Sequence, residues 1–173
     1  FSFINAFSTA PPTLVIGPGS RLGVNKDSLR NVRATGELVV NMVSRALAEA
    51  ANLTSAELAG EVDEWELAGL EPLPSRDVRP PRVADAPASL ECRVREIVDL
   101  GTAELPTNSL VVAEIVRIHV DDEALEGYVP DPTALDLVGR MGGDLWCTTR
   151  DRWTLPRPAS ADPDELRAAA AGP

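Results

Sequence analysis

The sequence is poor in the residues that most often announce a chemistry. Its 173 residues include one histidine, His119, one lysine, Lys26, and two cysteines, Cys92 and Cys147. With one histidine and no cysteine cluster, neither a zinc nor an iron–sulfur site is expected. The cysteines lie far apart and neither belongs to a C-x-x-C pair, so two free thiols are expected. No stretch approaches the roughly 18 unbroken apolar residues of a membrane span. The opening Phe1-Ser2-Phe3-Ile4-Asn5 has no basic leader pattern, so a cytoplasmic location is the default expectation. There is no G-x-G-x-x-G, no Walker loop and no regular βαβ alternation, which disfavours a dinucleotide site of the Rossmann kind and nucleoside triphosphate chemistry.

Positive charge is also scarce. The formal net charge is -11, so a nucleic-acid backbone or an anionic membrane surface is repelled overall. Arginine supplies nearly all the cations, which sets the lone Lys26 apart. Its compact ammonium suits an anion differently from a planar guanidinium.

What is present reads as a domain dominated by strands. Phe1 to Thr9 is apolar and extended, and Pro11-Pro12 ends it. A globular domain seldom begins in mid-core, so residues preceding Phe1 are expected. Thr13-Leu14-Val15-Ile16 is a short buried strand. Gly17-Pro18-Gly19-Ser20-Arg21-Leu22-Gly23 is a glycine-rich loop. It leads to a helix over 27–35, capped by Asn25 or Asp27, with Leu29 and Val32 inward and Gly36 as the stop. A valine-rich strand over 37–43 follows, then a short helix over 45–51 capped by Ser44. The acidic stretch 54–70 holds one or two helical turns anchored by Trp65 and Leu67, and 71–87 is an extended proline-rich connection without internal hydrogen bonds.

Leu90, Cys92 and Val94 alternate with Glu91, Arg93 and Arg95, the period of a half-buried strand with its charges outward. Leu110 to Val120 is β-branched on both faces and reads as the central strand, joined to the previous one by a hairpin-like loop over 99–108. A helical turn near 133–138, a strand over 145–148 and the closing run Trp153-Thr154-Leu155 complete the ordered part. The polar tail 158–173 forms a loose helix.

The most informative segment is Gly17 to Asn31. Its glycines allow close backbone approach, Ser20 and Ser28 offer hydroxyls, and Arg21 and Lys26 offer charge, all at a helix N-terminus that favours an anion. From the residues alone, a phosphate cradle and a merely capped turn both stand open. Phe3 and Phe7 read as core aromatics, Trp65 and Trp146 as packing residues, and His119, beside Asp121 and Asp122, as a surface histidine.

The ordered series of motifs adds a resemblance. Phe1-Ser2-Phe3-Ile4-Asn5-Ala6-Phe7-Ser8, Pro11-Pro12, Ser20-Arg21 and Lys26-Asp27-Ser28-Leu29-Arg30-Asn31 resemble flavin reductase-like FMN-binding split-barrel proteins. So do Gly36-Glu37-Leu38-Val39-Val40-Asn41, the block Asp63 to Leu70, and Gly139-Arg140-Met141-Gly142-Gly143. The resemblance implies a mostly β fold, a split barrel of Greek-key type with peripheral helices. The FMN-binding domain spans 1–157, with 158–173 as a tail, and strands belonging to the barrel precede Phe1. It implies that Ser2 and Phe3 line the isoalloxazine and ribityl chain and that Asn5 supports that segment. Ser20, Arg21, Lys26, Asp27 and Ser28 would surround the phosphate, Ser28 standing where the family usually has threonine. Trp146 would pack near the flavin, across a homodimer interface.

The implied function is an NAD(P)H-dependent flavin reductase-like oxidoreductase, with a partner oxygenase or other electron acceptor and no catalytic side chain nominated. The family's G-D-H-type element before the long late strand is replaced by Leu105-Pro106-Thr107-Asn108. An FMN electron carrier that does not use nicotinamide, and a split-barrel binding module without redox activity, are the alternatives.

Overall fold

The computed structural model describes residues 3–21, 24–56, 58, 62–102, 108–158 and 162–170; of residues 20, 21, 24, 25 and 168–170 it describes the backbone alone. The chain begins with β1 (Ile4–Thr9), β2 (Pro12–Ile16), β3 (Ser20–Arg21), β4 (Val24–Asn25), α1 (Asp27–Thr35) and β5 (Glu37–Asn41). It continues through α2 (Ala48–Leu53), α3 (Glu64–Ala68), β6 (Pro72–Leu73), β7 (Arg82–Val83), β8 (Ala88–Asp99) and β9 (Ser109–Val120). Last come β10 (Leu125–Glu126), β11 (Val129–Pro130), α4 (Pro132–Leu135), β12 (Val138–Arg140), β13 (Trp146–Thr148) and α5 (Pro163–Ala170).

The fold is mostly β, as expected. Its main sheet has the order β1-β2-β9-β8-β5, with every neighbouring pair antiparallel. β9 is an inner strand, as expected, because both its edges are paired, with β2 and β8; Val111 and Ala113 are buried, while Leu110 and Ile118 stay exposed. The sheet is open at β1 and β5 among the described residues, and the other strands form separate two-stranded pairs.

Strand period and register place Leu14 opposite Ala113, Ile16 opposite Val111 and Leu38 opposite Cys92. These side chains form the buried core with Leu29 and Val32 of α1. Complete burial of a leucine such as Leu29 stabilises by about 2 kcal/mol, so the spacing Leu29/Val32 is what docks α1 on the sheet. Gly36 ends the helix as expected. At φ 68° it adopts the left-handed conformation and donates its N–H to Val32 O at 2.8 Å.

The start of α1 differs from expectation. Neither Asn25 nor Asp27 is the cap: Lys26 holds that position, with no side-chain cap hydrogen bond. The glycine-rich segment is not a simple loop, because β3 and β4 pair as Ser20 with Asn25 and Arg21 with Val24, taking Asn25 into a strand. α2 also starts later than Arg45. Ser44 Oγ accepts from Leu47 N–H at 3.3 Å within a preceding turn, and Ser44 bridges to Leu137. In α3, Asp63 accepts from Trp65 N–H at 2.9 Å. Trp65 is half-buried but Leu67 is exposed, so only one of the two expected anchors packs.

The segment 71–87 departs most. It carries internal hydrogen bonds: β6 and β7 pair, and Ser75 Oγ donates to Pro80 O at 2.5 Å. It lies as a strap over the sheet face that alternation assigned to solvent. Glu91 is therefore fully buried rather than outward. Its carboxylate accepts the backbone N–H groups of Arg76 at 2.9 Å and Asp77 at 2.6 Å, and meets His119 Nε2 at 2.6 Å. His119 is accordingly a half-buried partner of Glu91, not a free surface histidine. Asn41 Oδ1 accepts both Val83 N–H and Ser89 Oγ–H at 2.9 Å, and Arg117 pairs with Asp77. The buried carboxylate and the strap amides thus satisfy one another, which is the condition for burying either.

Towards the C-terminus, Asp131 caps α4 by accepting from Thr133 N–H at 2.8 Å, with Pro132 in the first helical turn. β12 and β13 form a hairpin, and Asp136 takes both Nε and Nη2 of Arg150 at 2.7 and 2.6 Å. Trp153 and Leu155 are exposed. Both cysteines are free thiols, Cys92 buried and Cys147 exposed. Among the described residues, no helix is long and apolar enough to cross a membrane.

Candidate functional site

The first turn of α1 presents donors without a side-chain cap. Lys26 O accepts from Leu29 and Arg30 N–H, while the N–H groups of Asp27 and Ser28 have no acceptor among the described residues. The side chains of Lys26 and Ser28 are exposed and likewise without a partner among those residues. Asp27 would oppose an anion here, but its carboxylate pairs with Arg30 at 2.9 Å. Two free amides, a hydroxyl, an ammonium and the positive end of the helix dipole form a donor set suited to an anion such as a phosphate. Helix α1 is held in place at its other end. Arg33 pairs with Asp99, and Ser109 Oγ–H donates to Asp99 at 2.6 Å.

The glycine-rich segment is gripped from both sides. Gly17 N–H donates to Phe3 O at 2.8 Å, and Pro18 O accepts from Ser109 N–H at 3.1 Å. A Cβ on Gly17 would meet Phe3 Cβ at 3.0 Å, and one on Gly19 would meet Asn108 Oδ1 at 3.0 Å. A side chain at Gly17 would crowd Phe3 Cβ, whereas one at Gly19 would meet only the end of the Asn108 side chain.

The expected site residues divide accordingly. Lys26, Asp27 and Ser28 are contiguous at the helix start. Ser20 and Arg21 reach it through the β3–β4 hairpin, their side chains lying outside the described set. Phe3 joins through Gly17, with its ring exposed rather than in the core. Phe7 is exposed as well. Asn5 lies in exposed β1 opposite Val15, its Oδ1 accepting from Ala6 N–H at 3.0 Å. Trp146, 38% exposed, stands on the separate β12–β13 hairpin opposite Arg140. Ser2 and residues 103–107 lie outside the described residues.

Sequence reasoning missed a groove that begins at Ser28. About 440 Å³ in volume, it is bounded by one flank of α1 (Ser28, Asn31, Thr35), the start of β5, and Arg79 and Pro80 of the strap. The spacing of Ser28, Asn31 and Thr35 was a readable signal of a common helix flank. The arrival of Arg79 from the strap was not.

The family described as "Flavin reductase like domain" matches residues 1–138. This chain belongs to the flavin reductase-like family. An uncharacterized protein of Deinococcus radiodurans is 36% identical over 91% of this chain and 69% of its own. Among solved structures, nitrilotriacetate monooxygenase component B from Bacillus cereus superposes with a TM-score of 0.85 at 28% identity, covering 90% of this chain and 77% of that one. The 2-nitrobenzoate 2-nitroreductase of Pseudomonas fluorescens gives 0.80 at 30% identity, over 92% and 77%. Membership of the flavin reductase-like family makes this chain a flavoprotein with a flavin-related redox function.

Proposed function

We propose that the protein binds FMN with its phosphate at the first turn of α1 and works as an NAD(P)H-dependent oxidoreductase. The observation that carries this reading is the helix start without a side-chain cap, where the amides of Asp27 and Ser28 and the ammonium of Lys26 have no partner among the described residues. Ser20 and Arg21 complete the phosphate cradle from the β3–β4 hairpin. Ser2 and Phe3 line the isoalloxazine and ribityl chain, supported by Asn5, and the hydrogen bond from Gly17 N–H to Phe3 O keeps that segment next to the cradle. Trp146 packs near the flavin across a homodimer interface, in a split barrel of Greek-key type that residues 1–157 supply in part.

Bound flavin supplies the chemistry of accepting electrons from a nicotinamide and returning them to an acceptor. The protein binds and orients, and needs no general base of its own. Kinship with a monooxygenase component B supports a partner oxygenase as one destination for those electrons. A second reading, an FMN electron carrier without nicotinamide use, is favoured by Leu105-Pro106-Thr107-Asn108, which brings no histidine to the start of β9.

The deciding experiment is to denature the purified protein and identify and count the flavin released, then to follow NADH and NADPH oxidation with and without added FMN. FMN at one per chain, with nicotinamide oxidation, is the expected result. FMN without oxidation selects the carrier, and a colourless protein indifferent to FMN removes both readings in favour of a non-redox module.

A further inference from the structure

The residues of the anion site lie on one excursion of the chain, which runs from Pro18 through β3 and β4 into α1 as far as Arg33. Its near end is held by Ser109, whose N–H donates to Pro18 O at 3.1 Å. Its far end is held by Asp99, whose Oδ1 accepts from Arg33 Nη2. Ser109 Oγ–H donates to the same Oδ1 at 2.6 Å, and Arg33 Nη2 lies 3.4 Å from Ser109 Oγ. Asp99 and Ser109 face each other as the last pair of the β8–β9 ladder. One carboxylate oxygen therefore joins both ends of the excursion to the end of that strand pair. Leu29 and Val32 press α1 against the sheet, but apolar contact has no direction. The hydrogen bonds to Asp99 set a distance and an angle. A loop tied at both ends has fewer conformations in its middle, and donors fixed beforehand lose less entropy when an anion arrives.

We propose that Asp99 is a positioning residue. Through Arg33 and Ser109 it clasps the two ends of the excursion and so sets the spacing of the anion donors on it, without touching the anion itself. The identity of the anion rests on the flavin reading above, whereas the clasp rests on its own hydrogen bonds.

The test compares binding of FMN with that of riboflavin, which lacks the phosphate, to the full chain and to Asp99→Ala and Arg33→Gln. Amide hydrogen exchange of each protein is followed without ligand. The side chains of Arg33 and Asp99 are 37% and 59% exposed, so neither change opens a core cavity, and either variant decides the matter if the other fails to fold. Each variant is expected to weaken FMN about tenfold, the scale of a hydrogen bond to a charged group, while riboflavin stays within about twofold. Exchange is expected to quicken between Gly19 and Arg33 more than over β8 and β9. A part in stability alone would lower the unfolding midpoint and leave the ratio of the two affinities as in the wild type; that result, or no loss of either flavin, overturns the proposal. A wild type that binds neither flavin removes the flavin reading instead. There, and wherever riboflavin binds too weakly to compare, the exchange decides: quickening confined to Gly19–Arg33 retains the clasp, and its absence overturns it.

Discussion

His119 Nε2 lies 2.6 Å from Oε1 of Glu91, whose side chain solvent does not reach. The chain's one histidine is thus committed to a buried carboxylate, and that carboxylate to two main-chain amides of the strap. Removing one partner of such a set leaves the others buried and unpaired. Glu91→Ala should therefore cost about 3 kcal/mol of folding stability. Urea unfolding curves will show it as a lower midpoint; a loss under about 1 kcal/mol would mean that the strap is held by other contacts.

The same carboxylate predicts an acid limit. Burial alone would raise its pKa, but the bonds from Arg76, Asp77 and His119 lower it from the ordinary 4.5 to about 2. A carboxylate lowered on folding contributes fully above its unfolded value, and the contribution is lost as pH falls through the folded one. The stability gap between wild type and Glu91→Gln should be level above about pH 5 and shrink by up to about 3 kcal/mol between pH 4.5 and 2. Thermal melts across that range measure it, and a gap that stays constant would show that Glu91 gains nothing from ionisation.

The two thiols should separate in reactivity. Burial, and then the neighbouring charge of Glu91, push Cys92 up to about 12, whereas Cys147 is exposed. At pH 8 a thiol reagent should modify Cys147 quickly and Cys92 only after denaturant is added. Two fast thiols in the native protein would contradict the core described here.

Lys26→Ala should weaken FMN binding by roughly 1–3 kcal/mol, the range for a charge-assisted hydrogen bond. An unchanged dissociation constant in the folded variant removes Lys26 from the phosphate site.

Gly36→Ala isolates a backbone cost. A Cβ there meets nothing within 4 Å, so only the left-handed φ of 68° opposes it. About 1 kcal/mol is expected, read as a lowered denaturation midpoint; no change would mean that the helix end relaxes freely.

How far the residues alone reached can be seen at particular positions. β9 was legible because a long β-branched run favours an inner strand. α1 was legible because Leu29, Val32 and Gly36 are local signals. Glu91 was not, since alternation treats a charge as outward and cannot see a strap arriving with two amides to receive it. His119 was misplaced for the same reason. At the site, Lys26 and Ser28 could be found together because they adjoin in sequence. The approach of Arg79 to Thr35 and Glu37 is a tertiary fact that no local pattern encodes.

The strap also explains a distribution in its own composition. Between Glu71 and Pro87 the prolines fall at 72, 74, 80, 81 and 87. The amides of Arg76, Asp77, Arg79, Val83, Ala84 and Ala86 donate hydrogen bonds, and the β6–β7 ladder pairs Leu73 with Arg82. No proline occupies a donating position, because proline has no N–H to give. The prolines are therefore a written record of which amides the protein can do without. Variation along this segment should be permissive at those five positions and closed to proline wherever an amide donates.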